Sequence, residues 1–169
     1  MKNAFELRAD APRGRLSRRD WLVGAAALLC SAASMAQAGH ASLPLAASLQ
    51  DELAQALKKG QPLVVMVSLE GCPFCKVARQ NYLGPLHEQQ GLPVVQVDMR
   101  SNRTLKNFRG VSATHDEMAR LWRIRIAPTV LFFGRDGNEV AERLVGGYIP
   151  DFYGAYLDDR LQQARASLR

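Results

Sequence analysis

Residues 62–75 read Pro-Leu-Val-Val-Met-Val-Ser-Leu-Glu-Gly-Cys-Pro-Phe-Cys. The first eight are almost wholly apolar and rich in β-branched side chains, with no polar alternation. That predicts a strand buried on both faces. Residues 72 to about 82 then predict a helix, with Pro73 in the first turn, where no backbone donor is lost. Cys72 falls at the helix N-terminus, where unpaired N–H groups and the helix dipole favour an anion. A thiolate is such an anion and is the reactive form of cysteine. Cys75 lies one turn on, on the same face, near enough to close a disulfide onto Cys72. The pattern points to a dithiol redox centre.

Two blander readings compete. Cys-x-x-Cys can be half of a zinc site, but zinc needs two more ligands and usually takes them from a second Cys/His pair. Outside the motif the chain offers Cys30, His40, His87 and His115, which form no such pair. A purely structural disulfide is the other, yet so short a loop removes little chain entropy and adds little stability.

Working outward, the front end has a different character. Lys2, Arg8, Arg13, Arg15, Arg18 and Arg19 fall within the first 20 residues, and no charged residue then appears between Asp20 and Asp51. Residues 21–29 form a short apolar core, and Ala36-Gln37-Ala38 is a small-residue cleavage site. A transmembrane anchor is the alternative, but the segment is short, Ala/Ser-rich and interrupted by Gly24 and Ser31. The expectation is a cleavable signal over 1–38, a linker over 39–47 and a folded domain over 48–169, in a periplasmic protein. Ser17-Arg18-Arg19-Asp20-Trp21-Leu22 resembles a twin-arginine export signal, with ordinary Sec export the alternative. Cys30 is not a lipoprotein cysteine, because Leu29 precedes it. Cleavage would leave Cys72 and Cys75 as the two cysteines, which suits an oxidising compartment.

The 169 residues carry a formal charge of +6, with 47% hydrophobic and 22% charged residues, a globular composition. The leader holds six basic and three acidic residues, so the remainder is only mildly basic. No basic stripe interleaved with aromatics is present, which argues against a nucleic-acid partner.

In the domain, Ser48 can cap a helix with Leu49, Leu53, Ala54, Ala56 and Leu57 at helical spacing, closed by Lys58-Lys59-Gly60. Gly84-Pro85 is expected to break or kink the Cys72 helix, with a second piece over 86–90. Residues 92–98 predict a second strand, parallel to the first through a right-handed crossover. Residues 99–113 are polar and basic (Arg100, Arg103, Lys106, Arg109), with Leu105 and Phe108 as apolar anchors. They predict a solvated loop or short helix, with a partner-docking insertion as the sharper reading. Thr114-His115-Asp116-Glu117 has capping-box spacing, which makes His115 a first-turn surface residue and Trp122 a core residue. A strand after Ala127-Pro128, a turn at Arg135-Asp136-Gly137-Asn138 and a return over 140–145 predict a hairpin. A last helix follows from about residue 149, with Phe152, Tyr156, Leu157 and Leu161 inward.

Strand, C-x-x-C helix, strand, helix, then Ala127-Pro128 before a hairpin and a closing helix: over about residues 48–163 this resembles the thioredoxin superfamily. Within it the chain is similar to exported thioredoxin-like proteins, including those linked to sulfur-compound oxidation. The resemblance implies an α/β thioredoxin fold, a central mixed sheet of a parallel βαβ unit plus an antiparallel hairpin, flanked by helices. It implies a thiol–disulfide oxidoreductase in which Cys72 is the nucleophile and Cys75 the resolving thiol, on a helix whose first turn holds Pro73 and Phe74. It implies a cis-proline at Pro128, substrate-backbone bonding at Ala127, close approach at Gly146 and Gly147, and a rim residue at Tyr148. Two departures stand out. Gly71 and Pro73-Phe74 occupy the positions of the Trp and Gly-Pro of thioredoxins, and Met66 stands where their buried strand Asp would fall.

The expected reaction is reduction of protein or sulfur-carrier disulfides, with no cofactor beyond the Cys72–Cys75 disulfide and no metal. The expected protein is a monomer, with a disulfide-bearing substrate and a membrane electron donor of DsbD type as partners. A DsbA-like oxidase and a non-enzymatic metal- or thiol-binding chaperone are the competing classes.

Overall fold

The structure, a computed structural model, describes residues 42–147 and 150–169. The expected leader and its cleavage site lie outside the described residues, as does Tyr148. Along the chain run α1 (Leu49–Lys58), β1 (Leu63–Ser68), α2 (Pro73–Val77), a π-helical turn (Ala78–Leu83), α3 (Gly84–Gln90) and β2 (Val94–Asp98). They are followed by β3 (Thr104–Lys106), β4 (Ser112–Thr114), α4 (His115–Leu121), β5 (Thr129–Phe133), β6 (Leu144–Val145) and α5 (Pro150–Ala166). The main sheet has the order β2-β1-β5-β6. β1 is parallel to β2, with Val64 opposite Val94, and antiparallel to β5, with Val65 opposite Leu131. This is the mixed α/β sheet of the thioredoxin fold.

Period-2 alternation sends successive side chains to opposite faces, and here both faces are covered. Leu63, Val65 and Val67 enter one core with Val95, Val97, Leu131 and Phe133, beneath α1 and α4. Val64 and Met66 enter the other with Val130 and Phe132, beneath the Cys75 helix and α5. All six β1 residues are buried, which is why the strand is apolar from Leu63 to Val67, with Ser68 alone polar at its end. Burying a side chain of this size contributes roughly 1.5–3 kcal/mol, so β1 is the energetic centre of the domain.

Several expectations are refined or corrected. The expected break or kink at Gly84-Pro85 takes the form of a π-helical turn over Ala78–Leu83, with the second piece running Gly84–Gln90. Pro85 lacks a donor and its ring crowds the carbonyl four residues back. The chain answers by widening one turn, and Gly84 N–H donates to Arg79 O, five residues back, before α3 continues. The return strand is shorter than 140–145: beyond a bridge between Phe133 and Glu139, only Leu144–Val145 pair with β5. Arg143 turns away from the ladder, bonding Glu139 and donating from Nη1 to Trp122 O at 2.6 Å.

In α5 the inward residues are Tyr153, Leu157, Leu161 and Ala164, whereas Phe152 is 58% and Tyr156 47% exposed. Part of the expected linker belongs to the domain. Leu43 and Ala46 are buried, and residue 45 bridges Gln96 on the open edge of β2.

Residues 99–113 are neither solvated loop nor helix but a small antiparallel ribbon, β3 against β4. Asn107 Oδ1 closes its turn by accepting from Arg109 and Val111 N–H at 2.9 and 3.0 Å. Leu105 and Phe108 pin it to the core, the Phe108 ring centroid lying 4.6 Å from that of Phe133. His115 is not at the surface: it has no exposure at all.

Candidate active site

β1 ends at Ser68 and β5 begins at Thr129, at the same end of the sheet, with Val67 opposite Thr129. The loop after β1 with α2, the loop before β5 and the chain just after β6 carry the described residues expected at the site. Gly71 has φ +73°, a left-handed conformation that glycine adopts without strain, and no neighbour crowds a Cβ there. Backbone conformation, not space, therefore accounts for glycine in place of a large aromatic residue. The turn it makes, with Cys72 N–H donating to Leu69 O at 3.2 Å, feeds the chain into α2.

Cys72 is the N-cap of α2 and Pro73 opens its first turn. The Cys72 sulfur accepts from Cys75 N–H at 3.1 Å, the bond by which a helix N-terminus holds a sulfur anion. Cys72 and Cys75 are joined in a disulfide, with Cα atoms 5.3 Å apart. Cys72 is half-buried and reachable. Cys75 is fully buried in the core that contains Met66, Ala78 and Leu83. A bulky partner can therefore meet Cys72 and cannot meet Cys75.

The Ala127–Pro128 peptide is cis, the conformation the resemblance implies. The Ala127 carbonyl oxygen lies 3.7 Å from the Cys72 sulfur. Gly146, at φ +80°, donates its N–H to Pro128 O at 2.8 Å and so ties the end of β6 to the start of β5. A Cβ on Gly147 would stand 3.4 Å from Phe74 Cβ and 3.8 Å from Pro128 Cγ. Cys72, Phe74, Ala127, Pro128, Gly146 and Gly147 thus form one patch; Phe74 in it is exposed, as are the neighbouring apolar side chains Val77, Ile126 and Val145.

On one side of the patch a small apolar cavity of about 120 Å³ is lined by Phe74, Val77, Ala78, Tyr82, Gly147 and Tyr153. Burial, aided by nearby Tyr82, pushes the Tyr153 phenol well above its ordinary value. An acid raised in this way loses stabilisation as pH climbs. Above about pH 10 the unfolded chain ionises while the folded chain keeps its proton. Tyr153→Phe is therefore expected to keep its stability at pH 7 and to lose less of it than wild type between pH 10 and 11. Urea unfolding at the two pH values checks this, and identical alkaline losses would contradict it.

On the other side a groove of about 1200 Å³ starts at Cys72 and extends past Lys76 and Arg79 to Arg100 and Arg103. Its floor is a polar network. Arg79 donates from Nε to Gln96 Oε1 at 2.8 Å and from Nη2 to Ser68 Oγ at 3.1 Å. Gln96 Nε2 donates to Asp98 Oδ1 at 2.6 Å. This network is not among the expectations drawn from the sequence. Its signal was Gln96, a polar residue inside the run Val94-Val95-Gln96-Val97, where burial requires a partner. Among the described residues no group of three or more His, Cys, Asp or Glu stands together as a metal site.

The chemistry open to such a pair is dithiol–disulfide exchange, through a reachable sulfur backed by a buried one. The fold and the pair together are those of a thioredoxin-type dithiol domain. The chain belongs to the family described as thioredoxin-like domain, whose model matches residues 49–161. It is 29% identical over 136 residues to the thiol:disulfide interchange protein DsbD of Klebsiella pneumoniae, covering 78% of this chain and 20% of that protein. The chain thus spans about a fifth of the length of that relative. Among solved structures, a Fasciola hepatica thioredoxin aligns at 18% identity and a TM-score of 0.48, covering 72% of this chain and 99% of that one. The oxidised C-terminal domain of Neisseria meningitidis DsbD aligns at 18% identity and a TM-score of 0.47, covering 69% and 98%.

Proposed function

We propose that the protein is a periplasmic reductase of protein or sulfur-carrier disulfides. The observation that carries this is the division of labour between a reachable Cys72 and a fully buried Cys75 at one helix N-terminus. Cys72 thiolate attacks one sulfur of the substrate disulfide, whose S–S bond breaks as the mixed disulfide forms. The displaced substrate thiolate takes a proton from water. Cys75 then gives up its proton and attacks Cys72 Sγ, releasing the second substrate thiolate. Two electrons leave the dithiol, and the disulfide Cys72–Cys75 is itself the redox group.

Recharging needs two electrons and two protons from a dithiol donor. A membrane relay of DsbD type fits this need, and the likeness to a DsbD segment supports such an exchange partner. A cleavable twin-arginine signal over 1–38 would carry the protein to the periplasm. No helix of the described residues is long and apolar enough to cross a membrane. The disulfide substrate meets the patch around Cys72, with Ala127 offering backbone bonds and the two glycines leaving room for its main chain.

Direction follows from how far the reduced state is stabilised. Phe74, between the cysteines, gives a thiolate nothing, and Glu70 is an exposed carboxylate two residues before Cys72. Lys76 favours the anion from further along the helix, while the Arg79 guanidinium is engaged with Gln96 and Ser68. The expected reduction potential is roughly −190 to −270 mV, nearer the thioredoxin end of the range than the oxidase end. Equilibration against thiol–disulfide buffers, paired with an assay of disulfide-peptide reduction, tests the reading. A potential of about −120 mV would make the protein an oxidant instead.

A further inference from the structure

The groove beside Cys72 is larger than the ~300–1,000 Å³ typical of small-molecule sites, and its charge is one-sided. Lys76, Arg79, Arg100 and Arg103 border it, against two carboxylates, Glu70 and Asp98. Asp98 already accepts from the Gln96 amide. Among the described residues, the ion pairs are formed by Arg120, Arg143 and Arg160, so none of the four groove cations is neutralised in one.

Nor are these cations on loose chain. Arg100 N–H donates to Asp116 Oδ1 at 2.8 Å, Asp116 N–H to Ser101 O at 3.1 Å and His115 N–H to Arg103 O at 2.9 Å. The 99–103 loop is thereby clamped to the first turn of α4, which fixes the backbone that carries two of the arginines. Arg79 is held from below by Ser68 and buried Gln96. Cations positioned in advance bind an anion with less ordering cost than free side chains do.

Resting on the reductase reading above, we infer that the substrate is a polypeptide with acidic residues beside its disulfide, received by Lys76, Arg79, Arg100 and Arg103. The groove begins at the attacking sulfur, so an acidic segment lying in it would deliver its cystine to Cys72. The loop before the β3–β4 ribbon then has a function in substrate selection, which the chemistry of the two cysteines alone does not give it. Charge complementarity of this kind raises encounter rates by 10-fold or more and weakens as salt screens it.

The test uses two synthetic disulfide peptides that differ only in Asp or Asn on either side of the cystine. Each rate with the reduced protein is divided by that peptide's rate with dithiothreitol, which removes any difference in intrinsic reactivity. At low ionic strength the normalised rate for the Asp peptide is expected to exceed that for the Asn peptide by about tenfold, shrinking to about twofold in molar salt. In the Arg100→Gln/Arg103→Gln protein, and separately in Lys76→Gln, the ratio falls toward one. Equal rates for the two peptides, or a ratio that both variants leave untouched, would overturn the inference while leaving the reductase reading intact. Failure of the wild-type protein to reduce either peptide would overturn both.

Discussion

Replacing the buried sulfur turns the enzyme into a trap: a Cys75→Ser protein attacks its substrate once and stays attached to it through Cys72. The first step needs only the reachable sulfur, which the helix N-terminus still holds. The second step has lost its intramolecular thiol. An external thiol at about millimolar concentration replaces a neighbour whose effective concentration is many orders higher, so resolution slows at least about a thousandfold. Mass spectrometry should find one substrate thiol per protein, released by dithiothreitol. Multiple turnover at the wild-type rate would mean that Cys75 does not resolve the intermediate. The same trap retains the natural substrate and identifies it.

The largest loss of stability is expected at His115→Ala. The imidazole joins three segments that are distant in sequence. Its Nδ1 accepts from Asp98 N–H at 3.0 Å, and its Nε2 donates to Ala46 O at 3.0 Å. Truncation leaves two buried backbone groups without partners, each costing about 1–3 kcal/mol, and opens a cavity under α4. We expect a loss of about 3–4 kcal/mol in urea unfolding. His115→Asn, which can keep an acceptor near the Nδ1 position, should lose about half as much. A change under about 0.5 kcal/mol for the alanine variant would place His115 among ordinary surface residues.

The parts of the fold that could be read in the sequence are those where one local rule has no rival. Residues 62–69 are apolar on both alternations, so a two-face burial is the one consistent outcome. Pro73 after Cys72 sets a helix start, and Thr114 with Glu117 sets another; both sides of that capping box are formed. Four of the six patch positions, Cys72, Pro128, Gly146 and Gly147, carry a cysteine, a glycine or a proline and stood out for the same reason, whereas Phe74 and Ala127 were reached only as their neighbours.

The misread parts are those where tertiary contacts decide. β3 and β4 have three residues each, too short for alternation to show, and they are held by the Asn107 turn and the Phe108 anchor. α5 offers two apolar stripes, one through Phe152 and Tyr156 and one through Tyr153, Leu157 and Leu161. The stripe through Tyr153 is the one packed into the core below the sheet, and helical spacing alone does not choose between them. His115 looked like a surface residue because a polar first-turn position usually is one. Its burial comes from the edge segment at Ala46, which the sequence shows only as small apolar residues.

The most direct test is turnover of a disulfide peptide by a Cys72→Ser protein with Cys75 intact. The remaining thiol is fully buried, so no turnover is expected, although the variant should unfold like the reduced wild-type protein. Wild-type turnover with serine at position 72 would contradict the account.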